Sequence, residues 1–154
     1  MKNDQYSNDF AGWAAAQAHI IQSLPSVRGL DRDRLAQEIA DLGKRDALHF
    51  QCLVRQILSN LIKLISYPDT QAAACWNVEI LSLVREASEA YKPSYNHRID
   101  MNDAWNKAQH HAAEQLSYAC GKTMAHVPQH CPISLEWMMS EAFNIEQACS
   151  ALTN

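Results

Sequence analysis

Several residues of this 154-residue chain have the types that metal and acid–base chemistry use. Asp46 and His49 form an Asp-x-x-His pair. That is the nearest match to the Glu-x-x-His pairs with which helical bundles hold two metal ions. His110, His111 and Glu114 are the possible partner set. Helical spacing keeps the two sets apart. At 100° per residue Asp46 falls about 20° from Ile39, inside an apolar stripe, whereas His110, His111 and Glu114 fall about 120–180° from Trp105, on the polar back of their helix. Glu38 cannot join His49, because eleven residues of helix separate them by about 16 Å. The expectation is solvent-facing histidines.

A second set, Cys120, His126, His130 and Cys131, has zinc-ligand residue types. Its spacing matches no standard finger, and adjacent His-Cys ligands suit a tetrahedral site poorly, so Cys131-Pro132 reads as a packed loop corner. The set that most needs explaining is polar residues on apolar stripes: Gln17, Asp46, Arg98 and, nearby, Asn60. A buried carboxylate needs a donor, so Asp46 is expected to find Arg98 or Gln17. Such a group either fixes helix register through a buried network or lines a polar pocket for a small ligand. No G-x-S-x-G is present, the four glycines are scattered, and no Cys has a His placed to activate it. No cofactor is expected.

The elements that position these residues read as helices. The stretch 31–66 carries Leu35, Ile39, Leu42, Phe50, Leu53, Ile57, Leu61 and Leu64 on one face at helical spacing, and Leu58, Ile62 and Ile65 make its second half apolar on further sides. A helix apolar nearly all round needs neighbours on several sides, so 31–66 is expected to be the centre of a bundle, with Gly43 a possible kink. Before it, Asp9 or a neighbour caps a helix over about 9–24, ended by Pro25, and residues 1–8 read as a loose terminus. After it, Tyr67–Thr70 stops the helix and Thr70 can cap a third over about 71–91, with Trp76, Ile80, Leu83, Ala87 and Tyr91 on one face. A fourth is expected over about 95–120, closed by Gly121. A loop, 122–132, leads to Ser134, which caps a last helix over about 135–150. Trp137 falls opposite the apolar face of that helix. It packs on the 122–132 loop or serves as a partner-binding anchor.

The totals narrow the class. The chain is 47% hydrophobic with 4 Gly and 5 Pro, which suits a globular helical domain rather than a disordered one. Its net charge of −4 and lack of a basic cluster argue against a nucleic-acid surface. Residues 1–10 contain no apolar run, so no secretory leader is expected. The most apolar window, 57–65, is short and interrupted by Ser59, Asn60 and Lys63, so no membrane span is expected. Five cysteines without regular spacing suit a reducing cytoplasm.

The order of short motifs resembles a known family. DFAGW with Gln17, then LAQEIADLG, then Leu61-Ile62-Lys63 followed by a proline turn and Trp76, then Pro93-Ser94-Tyr95, then Cys131-Pro132, resembles the domain-of-unknown-function family numbered 29 over about residues 9–139. The resemblance implies a bacterial, all-helical protein and supplies no activity. Two positions depart from the family pattern: Asn60 stands where the family tends to have His, and the Arg after the helix-three Trp is shifted to Arg85.

The resulting expectation is a single all-α domain over 1–154, an up-and-down bundle of about five helices around 31–66. The leading function is a cytoplasmic interaction or self-associating module, binding a protein partner or a second copy, with no nucleic acid and no membrane. The alternative is a metal- or small-ligand-binding bundle, and possibly an enzyme, with a polar pocket near Asp46.

Overall fold

The computed structural model describes residues 4–154, with the Cys120 side chain outside the described set. The protein is all-helical around one long central helix, with no strand among the described residues. The eight described helices are α1 (Asp4–Asn8), α2 (Phe10–Ser23), α3 (Arg32–Ser66), α4 (Gln71–Ala90), α5 (Tyr95–Arg98), α6 (Met101–Cys120), α7 (Leu135–Met138) and α8 (Ile145–Thr153). They fall into two compact units, Met1–Phe50 with Lys92–Arg98, and Gln51–Tyr91 with Ile99–Asn154.

In the first unit, residues 4–8 are helical rather than loose. The reason is aromatic: the Tyr6 ring meets Phe10 and Trp13 edge-on, at 5.4 and 4.7 Å between centroids. Asp9 caps α2 by accepting from the Gly12 N–H. The same carboxylate receives two bonds from the Arg98 guanidinium, both 2.9 Å. A Cβ at Gly12 would collide with that carboxylate, so the glycine keeps the cap and the ion pair compatible. Arg98, with the Gly12 N–H adding to it, holds the Asp9 carboxyl below its usual range despite some burial.

Asp9→Ala should therefore lose a cap and a partly exposed ion pair together, about 1–2 kcal/mol by the usual sizes of each. A carboxylate with a lowered folded-state pKa stabilises fully above its unfolded value, 3.8 here, and loses that contribution as pH falls through the folded value. Urea titrations of wild type and Asp9→Ala should differ at pH 7 and converge in strong acid. A constant difference would refute the role of the charge.

The central helix runs unbroken through Gly43. Its buried face in the first unit is not the leucine stripe. Leu35 and Leu42 are exposed and Ile39 is half-buried, while Ala36, Gly43 and Phe50, seven residues apart, are buried with Ala40 and Ala47 half-buried between them. A Cβ on Gly43 would sit 3.0 Å from both Ala11 Cα and Ala14 Cβ. Gly43 thus lets α2 approach closely, and its role is contact rather than a kink. Between α2 and α3, Gly29 takes φ +85°, a backbone state that needs glycine.

In the second unit, Leu53 through Leu64 are buried on nearly every side except at Arg55 and Gln56, which are half-buried. Around them lie Ile80, Leu83 and Ala87 of α4 and Ala104, Trp105, Ala108, Ala112 and Leu116 of α6. Thr70 occupies the N-cap position of α4, but its hydroxyl donates back to the Tyr67 carbonyl and makes no cap bond. The expected fourth helix is two pieces, interrupted at Ile99–Asp100, because Asp100 caps α6 by accepting from Asn102 and Asp103. Gly121 closes α6 at φ +60°, as expected. The expected last helix is also two pieces. Ser134 caps α7, and Asn144 caps α8 by accepting from the Gln147 N–H.

Candidate functional site

Asp46 does not supply the buried carboxylate expected of it. Asp46 is exposed, so no buried carboxylate awaits a donor. Arg98, also exposed, pairs with Asp9 instead. Gln17 is half-buried on α2. Asn60 of that set lines a cavity in the second unit.

Among the described residues, His126, His130 and Cys131 form no metal-holding group. His126 and His130 are exposed. The Cys131 thiol donates to the Ile133 carbonyl at 3.2 Å, and its own N–H donates to Asn102. Burial raises the Cys131 thiol above its usual range. Among the described residues no group of three or more His, Cys, Asp or Glu is placed to hold a metal ion, and Cys120's side chain lies outside those residues. Trp137 is half-buried, its ring 5.2 Å from that of Phe143.

The chemistry-bearing cluster lies where α3, α4 and α6 meet within the second unit. Ser59, Asn60 and Lys63, the three interruptions of the apolar window, are only 2%, 3% and 7% exposed. Together with His111 and Gln115 of α6 and Glu79 of α4 they line a cavity of about 130 Å³. Lys63 and Gln115 also border an adjoining groove of about 490 Å³, walled by Trp76, Leu116, Tyr118 and Ala119.

A directed chain of hydrogen bonds organises the cavity. Lys63 Nζ donates to Gln115 Oε1 at 2.7 Å. A lysine ammonium has no lone pair to offer, so the amide must present its oxygen there and its NH₂ elsewhere. That NH₂ lies 3.2 Å from His111 Nε2. The imidazole must then accept through Nε2 and carry its proton on Nδ1, a tautomer assigned from the network. Among the described residues, His111 Nδ1 and Ser59 Oγ are buried and have no hydrogen-bond partner. The cavity therefore offers an ammonium, an imidazole N–H and a hydroxyl.

The Lys63 ammonium also sits 5.4 Å from the centroid of the Trp76 ring. Burial pushes the Lys63 amine below the usual lysine range, and Glu79 opposes that shift. The unfolded chain therefore binds this proton more tightly than the folded one. The resulting penalty is present in full below the folded value and disappears as pH rises toward 10.5. Lys63→Met should raise stability by about 1 kcal/mol at pH 7, since apolar replacement of a buried charge is neutral or stabilising. The gain should shrink toward pH 10.5. A variant less stable than wild type at pH 7 would show that the ammonium supports the fold.

Measured from Trp105, His111 falls on the polar back of its helix. The buried face of α6 extends to Ala104, fully buried, and His111 falls only about 20° from Ala104 on the same count.

Residues 5–144 match the family model described as "Domain of unknown function DUF29". A crystal structure of an α-helical protein of unknown function from Rhodospirillum rubrum superposes with a TM-score of 0.82 at 25% identity, covering 94% of this chain and 95% of that one. No curated protein matches the chain. Among the described residues no helix is long and apolar enough to cross a membrane.

Proposed function

The chain belongs to the DUF29 family, whose description carries no activity, and from that premise we propose that it is a small-ligand-binding helical protein, acting in the cytoplasm, with its site in the cavity lined by Ser59, Lys63 and His111. One observation carries the reading: Ser59 and His111, whose Oγ and Nδ1 atoms are buried with no hydrogen-bond partner among the described residues, both line this cavity. Unpaired buried polar groups each cost about 1–3 kcal/mol, and a ligand that pairs them recovers that cost. The adjoining groove lies in the size range of ligand pockets, roughly 300–1,000 Å³, with a mostly apolar wall.

The test is native mass spectrometry of the protein from its source cells, with thermal-shift measurements against small-molecule extracts. A co-purifying small molecule, or an extract that raises the wild-type midpoint and leaves Ser59→Val unmoved, supports the reading. No bound mass, and equal shifts in both proteins, would end it.

A second reading, self-association or binding of a protein partner, is favoured by a different observation. Leu35 and Leu42 of α3, seven residues apart and so on one face, are 42% and 50% exposed. Light scattering of wild type and a Leu35→Glu/Leu42→Glu double variant tests it. A larger species lost in the variant supports association, and a concentration-independent monomer in both counts against self-association.

A further inference from the structure

We propose that the ligand of this cavity is a small carboxylate carrying an apolar or aromatic body, the carboxylate lying among Lys63, Ser59 and His111 and the body along Trp76 and Leu116. This deepens the ligand-binding reading and rests on it. Lys63 Nζ is donor-only. Its bond to Gln115 Oε1 at 2.7 Å turns the Gln115 NH₂ toward His111 and leaves the His111 proton on Nδ1. Ser59 Oγ can donate as well. Beside the Glu79 carboxylate, which accepts, and the Gln56 and Asn60 amides, which can serve either way, these three donors favour an acceptor, and a charged acceptor strengthens each bond to about twice a neutral one.

Size and charge narrow the acceptor further. The cavity, about 130 Å³, holds a head group of a few heavy atoms. Lys63 is its one lining cation among the described residues, and Glu79 lies on the same wall. Glu79 is exposed to solvent and repels each added negative charge, so a monoanion beside Lys63 is opposed less than a phosphate dianion. The larger groove opens from the same two residues, Lys63 and Gln115, and its wall is mostly Trp76, Leu116, Tyr118 and Ala119. A ligand reaching from one into the other is polar at one end and apolar at the other.

The experiment is calorimetric titration with phenylacetate and hexanoate, compared with phenylacetamide, phenethylamine and phenyl phosphate, on wild type, Lys63→Met and Ser59→Ala. The carboxylates should bind at least about tenfold more tightly than the amide, the size of one charge-assisted bond. In Lys63→Met, a change expected to keep the fold, that preference should vanish while the weak amide affinity stays. Ser59→Ala should reduce carboxylate affinity by a few-fold.

If phenylacetamide, phenethylamine or phenyl phosphate binds as well as phenylacetate, the carboxylate assignment is overturned while the cavity remains a binding site. The same holds if the carboxylate preference survives in Lys63→Met. If no probe binds and the purified protein carries no small molecule, the ligand-binding reading falls with it.

Discussion

Trp105→Ala should lower stability by about 3–5 kcal/mol, the range for deleting a fully buried aromatic side chain. The Trp105 side chain is wholly buried on α6 beside Ala104, Ala108 and Ala112. Alanines there cannot expand to fill the void. The indole also donates through Nε1 to the Pro128 carbonyl at 2.9 Å, tying the 122–132 loop to the helix. The same loop is held by Tyr67 Oη donating to the Thr123 carbonyl, by the Ala125 N–H donating to Ser66, and by the Cys131 N–H donating to Asn102. Trp105→Phe separates the two contributions. It retains most of the volume and leaves Pro128 without its donor, so about 1–2 kcal/mol is expected. Urea unfolding gives the totals, and limited proteolysis reports the loop. Trp105→Ala should be cut within 122–132 much faster than wild type. A loss under about 1 kcal/mol with unchanged cleavage would contradict the burial.

Gly43→Val should cost about 2–3 kcal/mol by overpacking. Even one carbon at this position lands 3.0 Å from the Ala11 backbone and 3.0 Å from the Ala14 side chain. Valine adds two more atoms to that space, and the nearest obstacle is main chain that cannot turn aside. Gly43→Ala is the informative control, because a gain of about 1 kcal/mol in helix propensity opposes the clash. Hydrogen exchange resolves where the damage falls. Amides of α2 and of residues 36–47 should lose protection in Gly43→Val, while α6, in the other unit, should keep it. Uniform loss across both would show that the glycine acts on more than this helix pair.

Much of the helical plan was legible in local signals. Asp9, Ser134 and Gly121 mark ends by capping chemistry, and the apolar density of 50–65 marks the buried half of the central helix. The phase of its first half was not legible. Leucines dominate any periodicity, yet close helix contact here selects the smallest residues, Ala36, Ala40, Gly43 and Ala47, and turns Leu35 and Leu42 outward. The breaks at Ile99–Asp100 and within 139–144 were missed for a related reason. Asp100 and Asn144 each act as an N-cap, but neither sits beside a proline or glycine that would announce an end. The candidate site was half visible. Asn60 stands out as a polar residue near an apolar stripe, whereas Ser59 and Lys63 look like mere breaks in an apolar window. A charged residue inside such a window is the available signal, because the helix around it is buried and its head group must go somewhere polar. The role expected of Asp46 fails because its phase comes from the leucine stripe, which becomes the buried face only from Phe50 onward.

Gln115 has a consequence that reaches past its own contacts. Its side chain is a one-way element, acceptor at one end and donor at the other, with Lys63 at the first and His111 at the second. Glutamate has nearly the same shape but accepts at both ends. Gln115→Glu would cancel the Lys63 charge with one oxygen and demand a proton on His111 Nε2 with the other. The imidazole meets that demand by moving its proton from Nδ1 to Nε2, which turns Nδ1 from a donor into an acceptor. Whether His111 Nδ1 donates or accepts is thus decided by a single oxygen-for-nitrogen exchange, at a side chain that need not touch the ligand itself.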